Sequence, residues 1–402
     1  MTTFFWNNLR FKSKDARTRV KVIEGIDPEK HTETHVLELL TAASRDEDAL
    51  VRCAAAKVLA GIPSETTVRL LLPLLSDHHL EVRQSAATAL GKLGDISAAD
   101  ALVDTLKDPN PSLRASVAAA LRNLNWRPST AEEQALFEVA LGHARSAALQ
   151  GDAAVNPLLS ELTHDTGCAR RAAAEALEGV HDPRRIKPLL VALCDQEPTV
   201  RVSAIHALST CTGDEVVPAL IKALRDFEAC VRLAAAQVLS KKRDAAFVPQ
   251  FIPLLNDKHF EVRLTALQLL AQFRESRITK AVLPMLKDKD NDVRLAAAKA
   301  LGQAGDPAAI EGLVLTLIDD ERTLRDAAQL ALGQLDPNWA QSEAAQRACG
   351  AIEKSLADKP PWVRAAALQV LAKIRPASSQ PKDLRMAAES AGPARSPAGR
   401  SR

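Results

Sequence analysis

The chain of 402 residues has no tyrosine, and aromatic residues of all kinds make up 3% of it. Compact cores rely on large rings to fill irregular gaps, so an aromatic-rich globular core is excluded. Glycine is scarce, with 16 residues, which excludes collagen-like and glycine-linker chains. No charge sign dominates: 52 Lys and Arg face 50 Asp and Glu, for a formal net charge of +2. That balance argues against a protein that coats polyanions. No run of uncharged apolar residues approaches the ~18 needed to span a membrane. The N-terminal apolar stretch, Phe4-Phe5-Trp6, is too short for a secretory h-region. Six cysteines (Cys53, Cys168, Cys194, Cys211, Cys230 and Cys349) form no CxxC pair, and a chain this long needs no disulfide staples. They read as reduced thiols in a cytoplasmic protein.

Hydrophobic residues nevertheless reach 47%, mostly as Ala, Leu and Val, and they recur with a period. The segment Asp77 to Val82-Arg83-Gln-Ser-Ala-Ala-Thr-Ala-Leu90-Gly91 returns at Asp226 to Leu239 and at Asp288 to Gly302. Motif arginines fall at Arg52, Arg83, Arg114, Arg170, Arg201, Arg232, Arg263, Arg294, Arg325 and Arg364. Seven of the nine intervals are 31 residues, and the others are 56 and 39. An Asp stands six residues before nine of these arginines; before Arg170, Asp165 stands five away.

Each unit reads as two helices. In the second, apolar residues at Arg−1, Arg+3, Arg+6 and Arg+7 form one helical stripe. Alanine at Arg+3 lets a neighbouring helix pack directly over it. The first helix is shorter, as in Pro218–Leu224 or Pro188–Leu193, with its proline near the start where the missing N–H is not needed. Gly94-Asp95, Gly213-Asp214 and Gly305-Asp306-Pro307 supply turns between units. No period-2 alternation predicts a strand. One helix pair cannot bury its stripe alone, so units must stack into a continuous core. The paired positions Asp77 and Arg83, Asp226 and Arg232, Asp257 and Arg263, Asp288 and Arg294 suggest a structural ladder. A planar guanidinium with five donors can bridge an Asp carboxylate and exposed carbonyls between successive units.

The Asp-x5-Arg-x2-Ala-Ala-x-Ala-Leu-Gly pattern with Gly-Asp-Pro turns resembles HEAT-like repeats of the phycobilisome-lyase type, over about Asp46 to Ile374. The resemblance implies an all-α fold, a right-handed α-solenoid of about ten 31-residue helix pairs. Members of that repeat class include bilin lyase subunits, an iron-dependent protein hydroxylase and many adaptors. The hydroxylases carry repeated His-Glu dipeptides as iron ligands, and this sequence has none.

Residues 1–45 read as capping helices with a degenerate unit in which Arg19 precedes Val22, Ile23 and Ile26. Residues 46–375 form the solenoid, and 376–402 a disordered basic tail. Two breaks interrupt the register: a helical insertion at 126–151, opening on Ser129-Thr-Ala-Glu-Glu133, and a smaller one at 335–345. Trp126 and Trp339 mark them, either as wedges in the stack or as binding elements. The aromatic N-terminus is open to the same two readings, as cap or as docking element.

Catalytic signals are lacking. His31 and His35 have metal-compatible spacing but no third ligand, and there is no P-loop, GxSxG or GxGxxG. Cys168, Cys194, Cys211 and Cys230 are expected to be small buried apolar residues. No cofactor, metal or small-molecule substrate is indicated. The informative positions are Arg+1 and Arg+5, expected on the concave face: Val202, Leu233, Leu264 and Leu295 in one row, His206, Gln237, Gln268 and Lys299 in the other. An aliphatic row beside a polar row suits a peptide or helix, or reflects leucine merely tolerated there. Basic residues are too few at these positions to track a phosphate backbone. The sequence therefore points to a non-catalytic scaffold binding a protein segment. The resemblance alone raises the alternative of a lyase-like or maturation subunit acting on a partner protein.

Overall fold

The computed structural model describes residues 11–26, 33–355 and 360–375. The N-terminal aromatics Phe4, Phe5 and Trp6, the residue His31 and the tail 376–402 lie outside them. Every regular element among the described residues is an α-helix or a 3-10 helix. They stack as an α-solenoid in two compact units that divide after Val216.

In the first unit the motif arginines stand on the second helices Ala49–Leu59, Leu80–Leu93, Pro111–Asn123, Gly167–Leu177 and Pro198–Leu208. In the second unit they stand on Ala229–Lys241, Phe260–Leu270, Asn291–Ala304, Arg322–Leu335 and Pro361–Ile374. The Arg+3 alanines Ala235, Ala266, Ala297 and Ala328 are wholly buried, which brings neighbouring backbones together without large side chains. The Arg+7 leucines, such as Leu59, Leu239, Leu270 and Leu301, fill the space between the two helix layers.

The first helices differ from a simple short helix in three units. There an α-helical turn passes into a 3-10 segment at a proline: Leu72–Ser76, Ile252–Asn256 and Leu283–Lys287. Proline has no N–H to continue the α pattern, and the tighter turn accommodates it.

The insertion is itself a helix pair, Ala131–Ala140 and Ala144–Ala148. Thr130 and Glu133 form a capping box at its start. Its first helix packs on Pro111–Asn123 and its second on Gly167–Leu177. Trp126 meets Phe137 edge-on at 5.6 Å between ring centroids, and Trp339 is buried.

Two second helices approach their neighbours unusually closely. A Cβ on Gly91 would lie 2.6 Å from Ala120 Cα, and one on Gly302 would lie 2.9 Å from Ala331 Cα. Only glycine permits that approach.

Candidate functional site

The Asp and Arg positions form a chain of contacts along one edge of each unit. Arg232 Nε and Nη2 donate to both carboxylate oxygens of Asp257 at 2.6 and 2.7 Å. Its Nη1 donates back to the carbonyls of Asp226 and Phe227. Arg263 repeats the arrangement with Asp288 at 2.7 Å, Arg52 with Asp77 and Arg170 with Asp195. The carboxylate thus comes from the following repeat and the carbonyls from the arginine's own. Each Asp also accepts the amide two residues on, as Asp226 does from Glu228 at 2.9 Å and Asp257 from His259 at 2.9 Å. Burial pushes the Asp257, Asp77 and Asp288 carboxyls up. The facing guanidinium and the backbone amide outweigh it and hold them below the ordinary carboxylate range. For Asp195 the Arg170 hydrogen bond is the leading cause of the same depression.

Not every rung is alike. Arg83 and Arg294 come no nearer than 3.5 and 3.6 Å to Asp108 and Asp319, and their Nε atoms are buried without an acceptor. These two arginines stand on the helices that carry Gly91 and Gly302. Where the C-terminal halves of the helices close up, the arginine ends open. At the insertion, Arg114 pairs with Glu161 instead of an Asp. His164 fills the place six residues before Arg170, and its Nδ1 accepts from Thr166 N as an Asp would. Arg19 makes a complete rung with Asp46 at 2.8 Å, although Ser13, not Asp, stands six residues before it.

The exposed side of the second-helix layer holds the other positions. Val202 and His206 are half-buried in the first unit. In the second unit Leu233, Leu264 and Leu295 are half-buried, while Gln237, Gln268 and Lys299 are exposed. Leu264, Leu267, Gln268, Leu295 and Lys299 line a groove of about 420 Å³ between two successive second helices. Phe260, 39% exposed, stands four residues before Leu264 and so extends the same helix face. Phe227, in the loop that opens the preceding second helix, is 92% exposed. Neither ring is predicted from the repeat pattern, because no other unit carries an aromatic residue at either position.

The cysteines require a correction. Cys211 is buried, but Cys168, Cys194 and Cys230 are exposed free thiols. Cys168 and Cys230 lie two residues before their arginines, a position shared with Glu81, Glu261 and Asp292 on the outward side of the helix. Burial pushes the Cys53 and Cys349 thiols up. Among the described residues no group of three His, Cys, Asp or Glu is placed to hold a metal ion. No helix there is long and apolar enough to cross a membrane.

A family model described as HEAT repeats matches residues 36–122, 155–240 and 248–333. The gap between the first two stretches contains the insertion. A search of curated proteins finds no match. Among solved structures, an engineered protein is 22% identical, covering 83% of this chain and 99% of its own, with a TM-score of 0.36. An importin beta structure is 16% identical, covering 92% of this chain and 56% of its own, with a TM-score of 0.39. Human deoxyhypusine hydroxylase in complex with glycerol is 19% identical over 84% and 96%, with a TM-score of 0.26.

Proposed function

The chain belongs to the HEAT-repeat family, and from that premise we propose that it is a non-catalytic scaffold that binds a segment of a partner protein. The segment docks on the exposed face of the second-helix layer. The observation that carries this reading is the aliphatic row Leu233, Leu264 and Leu295, left half-buried, with the exposed ring of Phe260 on the same helix face as Leu264. Apolar groups in contiguous rows that water still reaches mark interaction sites more often than isolated exposed leucines do. Gln237, Gln268 and Lys299 border the row with donors and an acceptor set suited to a peptide backbone. Val202 and His206 carry the same two positions in the first unit. The 31-residue spacing of seven of the nine intervals supports placing the units in the short phycobilisome-lyase type, a matter of repeat geometry on which the scaffold reading does not draw.

Affinity capture with the full chain, read by mass spectrometry, tests the site. Leu264→Glu and Leu233→Glu place a charge in the apolar row and should release partners that the parent chain retains. Gln268→Glu alters an exposed side chain at the groove's edge, so its loss of binding cannot be ascribed to unfolding. If all three variants keep the partner, this face is not the binding surface.

A further inference from the structure

The turns that close the second helices of the second unit carry a feature unrelated to the apolar face. Eleven residues after the motif arginine, the chain turns toward the next repeat. In two repeats that position is glycine in the left-handed region, Gly94 at φ 69° and Gly305 at φ 74°. Arg243 occupies it at φ 49°, where an L side chain is disfavoured. Strain of this kind persists where the residue serves something other than the turn. Arg274 holds the same position one repeat later, and Lys241 and Lys242 precede Arg243; all four are exposed. None of the four side chains has a hydrogen-bond or ion-pair partner among the described residues. The neighbouring acids are engaged within their own turns: Asp244 accepts from Ala246 N at 2.8 Å, and Glu275 pairs with Arg277. Compensation of the helix dipole accounts for Lys241 and Lys242 at the end of Ala229–Lys241. It does not account for Arg243 in the turn beyond or for Arg274. A cleft of about 440 Å³ is lined by Arg243, Gln272 and the half-buried Phe273.

We propose that these two turns bind an acidic protein segment, with Arg243 and Arg274 as charged anchors and Phe273 as an apolar floor. Successive repeats lie about 10 Å apart, which three residues of extended chain span at about 3.3 Å each. A carboxylate at every third or fourth position can therefore meet both turns. The cations do not continue along the edge, since the next turn is Gly305-Asp306. A nucleic-acid backbone needs a longer basic stripe, so the peptide fits better.

The test uses the full chain and a fluorescently labelled decaglutamate peptide, followed by anisotropy at low salt. Binding should weaken as salt rises. Arg243→Gly should weaken it about threefold, as for an exposed ion pair. The same change should leave the melting temperature unchanged or raised, because glycine suits φ 49°. The double variant Arg243→Gly with Arg274→Ser should weaken binding about tenfold. No binding by the parent chain, or unchanged affinity in Arg243→Gly, overturns the proposal. So does a lower melting temperature in that variant, which would make the arginine structural. Tighter binding of a single-stranded oligonucleotide of equal charge would overturn the choice of partner.

Discussion

Replacing Arg232 with alanine removes a side chain that is 7% exposed and leaves Asp257, 10% exposed, without its guanidinium. Two charge-assisted bonds of 2.6 and 2.7 Å to that carboxylate are lost, together with two to the Asp226 and Phe227 carbonyls. Breaking a buried pair by removing one partner costs about 3–5 kcal/mol, because the remaining charge stays desolvated. Arg83 offers an internal control. It keeps a 2.8 Å bond to the Asp77 carbonyl but stands 3.5 Å from Asp108. It also reaches the His78 carbonyl at 3.4 Å, so Arg83→Ala should cost about 1–2 kcal/mol, from these backbone bonds and the packed stem. The difference of about 2 kcal/mol corresponds to roughly a thirtyfold change in an opening equilibrium. Repeat arrays need not unfold in one step, so the measurement is local: amide hydrogen exchange over residues 226–270 for one variant and 77–121 for the other. Equal losses of protection in the two variants would refute the view that the carboxylate bond carries the rung.

The depressed carboxyls set the direction of the pH response. Their folded pKa values lie below the unfolded values, so the rungs contribute fully above about pH 4 and their contribution is lost as pH falls through the folded values. Circular dichroism between pH 6 and 2 should show loss of helix below about pH 4, and a midpoint above pH 5 would contradict the assignment. Gly302→Ala should destabilise by about 1–3 kcal/mol through overpacking against Ala331. Gly333→Ala meets nothing within 4 Å and should be neutral or stabilising by up to about 1 kcal/mol in thermal melts. Similar costs at both glycines would show that the close approach is not tight.

What could be read from the sequence was whatever recurs. The 31-residue register gives the helix pairs, the alanines at the contacts and the arginines that meet carbonyls. Direction along the stack is not in the pattern: an Asp six residues before an Arg looks like that arginine's own partner, yet Arg232 takes the Asp of the next repeat. Arg19 is legible only as the arginine of a degenerate unit, because its carbonyl partner is Ser13 and not an Asp. Its role depends on the backbone oxygen, to which the residue type is indifferent. Phe227 and Phe260 escape the pattern for the opposite reason, since a single departure from the consensus has no period. Exposure at Cys168 and Cys230 follows from helix phase relative to the arginine, which composition alone does not reveal.

The unequal rungs have a mechanical consequence. Joints locked by a bidentate carboxylate resist hinging at the arginine edge. The joints at Arg83 and Arg294 are pinned at the opposite end by Gly91 and Gly302, and across the open edge they have only a charge pair at 3.5–3.6 Å. Each compact unit contains one such joint. Those two joints are also where successive second helices share their most extensive contact among the described residues, so load there is carried by backbone packing and not by the arginine edge.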